Sequence, residues 1–495
     1  MSEIKIIDTT FRDGQQSLWA SRMRAEAMLP AMADVDAAGY EGVEFVVATA
    51  HFPRSVRDLG DNPWDWLDLG PAKMKRTPLR LHGGIHTRLA AVPMSVRRLF
   101  LDKLAERGIQ VTRTSDPWND FGKLAETVTV MREHGLETVA NIIYSVSPRH
   151  TAEYFARKTR EAVAIDPYRV CFKDVGGLLT PEAARELIPV VLANAGDVPV
   201  EFHAHCNNSL APYNVLVAAD LGIRIIHTAI PPLSEESSQP SVFNVVGNLR
   251  ARGHDVALDL EPLRRVSGHL HKVAESDDLP VGRPAVYDES LYAHQVPGGM
   301  ISNMRFQLAQ LHKEELLDEA LVEVARVRED FGYPIMVTPL AQFVGTQAVV
   351  NVVSGGRYAT VTDETIQYAL GRWGAEAIEV MDPEVRALVL DRSRAEAIAA
   401  EPSASVEADD VSLAEARQRF GGVGISDEEL ITRAFMGASS TSNAIPPRGT
   451  PADTYAEYDA RHGSVRELLR LLEQTPDVRR FSWREGGSSL SVTRG

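Results

Sequence analysis

Short runs of β-branched and aliphatic residues recur through the first half of the chain, separated by polar and glycine-containing stretches. Ile4–Ile7, Gly42–Val47, Leu79–His82, Ile109–Arg113, Thr138–Tyr144, Tyr168–Lys173, Val198–His205 and Ile223–Ile230 read as buried strands. Helical spacing lies between them. Thr180-Pro181 starts a helix, a hydroxyl cap followed by a residue that needs no amide hydrogen, and Ala183–Leu192 continues it with apolar positions at helical period. Asn208 is placed to cap the next helix, which runs through Ala219 and ends at Gly222. Phe121–His134 is another helix, closed by Gly135. Eight such units in about 250 residues predict an α/β fold, a (β/α)8 TIM barrel. A doubly wound open sheet is the rival, but no glycine fingerprint follows the first strand.

The alternation stops near residue 280. Glu314–Arg328 and Asp363–Gly371 are helical by period, and Val385–Ala400 is alanine-rich and charged. The expected organisation is a barrel over 1–290, a mostly helical second domain over 291–440, and a small tail over 441–495. Residues 439–452 are rich in Ser, Thr, Asn, Pro and Gly, as a linker is. The tail reads as a helix, Val465–Gln474, and a hairpin of Phe481–Trp483 and Leu490–Thr493 around Glu485-Gly486-Gly487.

Composition narrows the function classes. The 495 residues suffice for two to three domains. With 52 basic against 68 acidic residues the net charge is −16, which disfavours nucleic acid and membrane surfaces as partners. Two cysteines, Cys171 and Cys206, provide no disulfide framework and suit a reducing compartment. No apolar stretch approaches a membrane span, and Met1-Ser2-Glu3 opens no signal peptide, so a cytoplasmic location is expected.

In such a barrel the working groups sit just past the carboxyl ends of the strands. The first strand leads into Asp8-Thr9-Thr10-Phe11-Arg12-Asp13-Gly14-Gln15-Gln16, the sixth ends in Phe172-Lys173-Asp174, and the seventh ends in His203-Ala204-His205. His203 and His205 alternate along a strand and so share one side. With Asp13 they make a reasonable site for a divalent metal, zinc, manganese or cobalt. Two barrel-lining histidines without metal are the plainer alternative. Lys173 follows apolar Val170-Cys171-Phe172, where an ammonium is costly. It either pairs with Asp13 or Asp174, or takes up CO2 as a carbamate and becomes an anionic ligand.

These segments carry a resemblance. Asp13, Gln16-Ser17-Leu18 and Ser21-Arg22-Met23-Arg24 resemble the opening of the biotin-dependent carboxyltransferases: the pyruvate carboxylase carboxyltransferase domain, the oxaloacetate decarboxylase alpha subunit and the pyruvate-side subunit of transcarboxylase. Phe172-Lys173-Asp174-Val175-Gly176-Gly177-Leu178-Leu179 is similar to that family's carbamylated-lysine segment. Val296-Pro297-Gly298-Gly299-Met300, Val337-Thr338-Pro339 and Val344-Gly345-Thr346-Gln347 resemble its second domain. The resemblance implies metal ligands Asp13, His203 and His205, with carbamylated Lys173 as the fourth. It places Gln16 at the acceptor site with Arg12 beside it. Ser237-Ser238-Gln239-Pro240 stands where the family has Thr-Ser-Gln-Pro, so Ser237 would be the hydroxyl that shuttles a proton; capping of the helix after Pro240 is its plainer role. The implied activity is transfer of a carboxyl group between carboxybiotin and a small oxo acid or related carbonyl compound. Lys73-Met74-Lys75 only inverts the Met-Lys-Met of a biotin carrier. Biotin is therefore expected on a separate carrier protein, with a biotin carboxylase subunit as a further partner, and this chain as a homo-oligomer in a larger complex. The tail is similar to the segment that precedes a biotinyl domain.

The pattern departs at the acceptor pocket. The pyruvate-using relatives carry an arginine in a Leu-Leu-Arg-Gly segment, and here Leu81-His82-Gly83-Gly84-Ile85-His86 puts Gly84 in its place. Val46-Val47-Ala48 and Cys206-Asn207-Asn208 replace two further family loops. Pyruvate is thus not the expected acceptor. The glycine is expected to leave room for a bulkier one, gripped by His82, His86 or Arg88. Two alternatives remain. One is a metal-dependent lyase or Claisen-type synthase like hydroxymethylglutaryl-CoA lyase or isopropylmalate synthase, whose opening Asp8–Gly14 also resembles, with Gly14 closer to them than to the carboxylases. The other is a non-catalytic assembly subunit.

Overall fold

Eight parallel strands close on themselves: β1 (Lys5–Asp8), β2 (Gly42–Val46), β3 (Leu79–His82), β4 (Ile109–Thr114), β5 (Glu137–Ile143), β6 (Arg169–Asp174), β7 (Val200–Ala204) and β8 (Ile225–Thr228). This computed structural model describes residues 3–84, 92–296, 298–401, 411–437, 445–449, 480–485 and 488–493. Closure comes from β1 against β8, with Lys5 opposite Ile225 and Asp8 opposite Thr228. Helices alternate with the strands and cover the outside, which makes this the TIM barrel expected from the strand–helix spacing.

The local signals work as their chemistry dictates, with two exceptions. Thr180 Oγ1 accepts the N–H of Ala183 at 3.1 Å and opens helix Pro181–Ala195. Asn208 does not cap the following helix. Ser209 turns left-handed at φ 67°, the helix starts only at Ala211, and Asn208 Oδ1 instead accepts the N–H of Asp288 at 2.6 Å. That bond ties the loop after β7 to the chain leaving the barrel. The expected helix Val385–Ala400 is two, Pro383–Leu390, capped by Asp382, and Ser393–Ala400, because Arg392 is extended between them.

Two large apolar cores form among the described residues, beside a small cluster of Val111, Val139 and Cys171. The larger fills the space between strands and helices of the barrel. Helices Leu413–Phe420 and Asp427–Met436 join it, with Phe435 packed against Phe52 and Phe100 at ring distances of 5.5 and 5.1 Å. The smaller core is built by helices between Gly298 and Ala400, and Trp118, from the loop after β4, inserts into it. Buried Arg328 donates to Ser145 Oγ and to the Val146 carbonyl, both at 3.0 Å, in the loop after β5. The helical segment thus docks on the carboxyl-end mouth, where a TIM barrel carries its chemistry. Strands β9 (Arg480–Glu485) and β10 (Ser488–Thr493) form the expected hairpin, with Glu485 opposite Ser488. The expected helix Val465–Gln474, and His86 and Arg88, lie outside the described residues. Among the described residues no helix is long and apolar enough to cross a membrane.

Candidate active site

The loop after β1 folds onto Asp8, whose carboxylate accepts the Thr10 N–H at 3.1 Å and its hydroxyl at 2.6 Å. Burial lifts the Asp8 carboxyl to about 7 against those hydrogen bonds. Asp8 therefore shapes the loop. Gly14 has a steric reason of its own: a Cβ there would lie 2.7 Å from the Leu233 carbonyl oxygen, so only glycine lets this loop meet the one after β8.

That loop delivers Asp13 to the histidines of β7. Asp13 Oδ2 lies 3.3 Å from His203 Nε2 and 3.6 Å from His205 Nε2, all three residues being buried. His205 Nδ1 lies 2.6 Å from the Ser237 carbonyl, which can only accept, so Nδ1 carries a hydrogen and Nε2 is the nitrogen that offers a lone pair in the neutral ring. The Asp13 carboxyl, which burial would raise, is held well below the usual range by Arg12 beside it. A carboxylate oxygen and two imidazole nitrogens facing one another at these distances suit a cation between them. The donor set fits zinc, manganese or cobalt. Gln239 Nε2 hangs over this face, 3.2 Å from His205 Nε2.

Lys173 is buried, 7 % exposed, and its side chain forms no hydrogen bond or ion pair with another described residue. Neither expected carboxylate takes it. Asp174 accepts the N–H groups of Leu178 and Leu179 at 3.0 and 2.9 Å, and Asp13 is bonded to Arg12 at 2.7 Å. Burial, with Arg113 adding to it, pushes the Lys173 amine down to about 7.

The remaining sequence candidates fall in different places. Ser237 is partly exposed, and its hydroxyl donates to the Ser17 carbonyl at 3.2 Å. It caps no helix, since the helix after Pro240 begins behind Ser241. Gln16 is exposed on the short helix Gln15–Trp19, whereas its neighbour Gln15 is buried and bonded to the Phe11 carbonyl. His82 ends β3. Its Nδ1 is buried without a partner among the described residues, and burial together with Arg12, Arg113 and Lys173 drives its pKa far down. The room expected at Gly84 does not open there: a Cβ would come to 2.9 Å from Thr114 Oγ1 and 3.1 Å from Thr127 Cγ2. Lys73-Met74-Lys75 closes helix Pro63–Lys73, with the Lys75 N–H bound to Asp36.

The sequence reading missed the ion network beneath this face. Glu44, fully buried on β2, accepts from Arg12 Nε at 2.9 Å and from Arg113 Nε, and Arg113 Nη1 donates to Asn141 at 3.1 Å. Deeper, Arg80 Nη1 donates to both oxygens of Glu201 at 2.9 and 3.0 Å, and His227 Nε2 meets Glu201 at 2.9 Å. The signal was available: Glu44, Arg80, Arg113 and Glu201 are charges inside runs that read as buried strands.

Residues 291–439 match the family described as a conserved carboxylase domain, and residues 106–269 match the HMGL-like family. The chain is 35% identical over 393 residues to a pyruvate carboxylase subunit of Methanocaldococcus jannaschii, covering 78% of this chain and 68% of that protein. It is 30% identical over 437 residues to the methylmalonyl-CoA carboxyltransferase 5S subunit of Propionibacterium freudenreichii subsp. shermanii, covering 88% and 86%. It is 32% identical over 375 residues to the 2-oxoglutarate carboxylase large subunit of Hydrogenobacter thermophilus, covering 75% and 57%. Of solved structures, the carboxyl transferase domain from Rhizobium etli pyruvate carboxylase shares the fold with a TM-score of 0.77 at 22% identity, over 92% of this chain and 79% of that one.

Proposed function

Because this chain belongs to the biotin-dependent carboxyltransferase family, we propose that it moves a carboxyl group between carboxybiotin and a 2-oxo acid or related carbonyl acceptor other than pyruvate. The observation that carries the chemistry is the meeting of Asp13, His203 and His205 beside a buried Lys173 that pairs with no other described residue. A divalent cation bound there supplies a Lewis acid that stabilises negative charge developing on the acceptor. In this reading Lys173, as a carbamate, is the fourth ligand. Biotin arrives on a separate carrier protein, charged by a biotin carboxylase subunit.

The chain's own groups divide the remaining work. Ser237 relays the proton between the acceptor's α-carbon and biotin; its hydroxyl hydrogen rests on the Ser17 carbonyl, which leaves its lone pairs free to accept. Arg12 grips Asp13 and Glu44 together and so fixes the carboxylate. Gln16 stands exposed, able to reach an entering acceptor. The helical segment docked at the mouth favours exclusion of water, which keeps CO2 and a carbanion from escaping.

Two features support an acceptor other than pyruvate. Position 84 offers no cation, and Thr114 and Thr127 close on it. His82 brings to the same strand end an Nδ1 that has no partner among the described residues, and His86 and Arg88 follow in the sequence. The test uses metal-loaded protein with free biotin. Decarboxylation of oxaloacetate, which yields pyruvate, is measured beside a panel of other β-carboxylated oxo acids and acyl compounds. At least one of the panel should react faster than oxaloacetate by a decade or more, since loss of a charge-assisted grip costs on the order of 2–5 kcal/mol. Oxaloacetate as the fastest substrate would make pyruvate the acceptor. His203→Ala should lose both the metal and the reaction.

A further inference from the structure

The described residues hold a second cluster of ligand-type side chains, Cys171, Glu201 and His227, one layer below the proposed metal face and entirely buried. It does not read as a second metal site, because Glu201 already accepts from Arg80, Arg169 and His227. Its connection runs upward instead. His227 Nδ1 lies 3.0 Å from His203 Nδ1. We propose that His227, braced by Glu201, is a positioning residue: it takes the Nδ1 hydrogen of His203 and so fixes His203 with its Nε2 lone pair toward Asp13 and His205.

The register puts these groups together. Glu201 and His203 alternate along β7, and Glu201 and Phe202 pair with Ile225 and Ile226 of β8, which brings His203 level with His227. Hydrogen placement then follows from one end of the chain. Glu201 is an acceptor only, because Arg80 Nη1 donates to both of its oxygens at 2.9 and 3.0 Å and Arg169 Nη1 donates to one of them at 3.2 Å. The hydrogen of the 2.9 Å contact therefore sits on His227 Nε2. A neutral imidazole with hydrogen on Nε2 presents a lone pair at Nδ1. The 3.0 Å contact between the two Nδ1 atoms then needs its hydrogen from His203. That leaves His203 Nε2 bare, 3.3 Å from Asp13 Oδ2. An imidazole that ligates a metal through one nitrogen is regularly held through the other, and loss of that partner weakens binding about 10- to 100-fold. Here the partner is a second imidazole backed by a carboxylate and two guanidinium groups. His205 is set by a different device, the Ser237 carbonyl, so the two histidines are oriented independently.

This inference rests on the reading of Asp13, His203 and His205 as metal ligands, and the experiment separates the two. Zinc and cobalt affinities of the full chain are measured by chelator competition for wild type, His227→Phe and His227→Asn. Phenylalanine keeps ring volume and removes the acceptor; asparagine places an amide oxygen near the position of Nδ1. His227→Phe should bind about 10- to 100-fold more weakly, and His227→Asn should recover most of the loss. Wild-type affinity in a folded His227→Phe would overturn the positioning role. A wild type that binds neither metal would overturn the ligand reading itself. Should His227→Phe not fold, nitrogen NMR of histidine-labelled, metal-free wild type decides: His203 carrying hydrogen on Nδ1 and His227 on Nε2 is expected, and the opposite placement refutes the chain.

Discussion

Glu44→Gln should be among the most damaging isosteric substitutions in the barrel. The carboxylate is 0 % exposed and accepts from two guanidinium groups, Arg12 and Arg113, through four hydrogen bonds. Burial alone would raise its carboxyl, yet Arg113 and Arg12 hold it well below the usual range. A glutamine keeps the volume but removes the charge and turns one acceptor into a donor facing an arginine. Two buried cations then share Asp13 alone, with Arg113 Nη2 no nearer to it than 3.9 Å. Removing one partner from a buried pair costs about 3–5 kcal/mol. At roughly 2 °C per kcal/mol for a body of this size, the barrel transition should fall by about 6–10 °C. Differential scanning calorimetry at neutral pH reads this directly, with exposed Glu137→Gln as a control expected within about 0.5 kcal/mol of wild type. The sign with pH also follows. A carboxyl whose folded pKa is depressed stabilises fully above its unfolded value of about 4.3, and loses that contribution as pH falls further. The gap between wild type and Glu44→Gln should therefore be constant from pH 8 down to about 5 and narrow below that. A fall in the transition of less than about 2 °C would refute the reasoning, because it would mean that the two arginines find solvent or other partners at little cost.

Two further outcomes test other parts of the molecule. Lys173→Ala should fold, since the side chain holds no ion pair among the described residues, yet be almost inactive; intact mass spectrometry of wild type in bicarbonate should show one added CO2 that Lys173→Ala lacks, and full activity in that variant would leave the lysine a bystander. Phe435→Ala removes a ring packed on Phe52 and Phe100 and should cost about 3–5 kcal/mol of local packing. Limited proteolysis should then cut between 411 and 437 well before the barrel, and cleavage no faster than in wild type would show that Trp64 and Thr432 suffice to hold that segment.

The barrel was legible because its period is local. Each strand run and each cap such as Thr180 is set by near neighbours in sequence. That Asp13, His203 and His205 meet was legible for a related reason: strand ends share one mouth in this architecture, so residues far apart in sequence are tested against one place. Asn208 failed where a local rule met a tertiary competitor, since its side chain is worth more to the Asp288 N–H than to a helix that starts later. The space at Gly84 was misjudged because it depends on Thr114 and Thr127, from another strand and another helix. The partners of Glu44, Arg113, Arg80 and Glu201 were out of reach for the same reason. Glu44 meets Arg113 across 69 positions and Arg80 meets Glu201 across 121, and only closure of the sheet fixes those pairings.

That network also bears on what the barrel interior is for. A layer of well-packed aliphatic residues would stabilise the barrel as well as the ions do, or better, because desolvation offsets most of the attraction in buried ion pairs. An aliphatic layer cannot dictate which lone pair faces the mouth. Two chains of bonds do so here. Arg113 and Glu44 hold Arg12, and Arg12 holds Asp13. Arg80 holds Glu201, which meets His227, and His227 meets His203. Both end on the same small face, and both begin on strands other than the ones that bring Asp13 and His203 to it. The charges inside the strands thus make sense as orientation carried upward from a rigid floor, with Asp13 and His203 each held by a separate route so that disturbing one leaves the other in register.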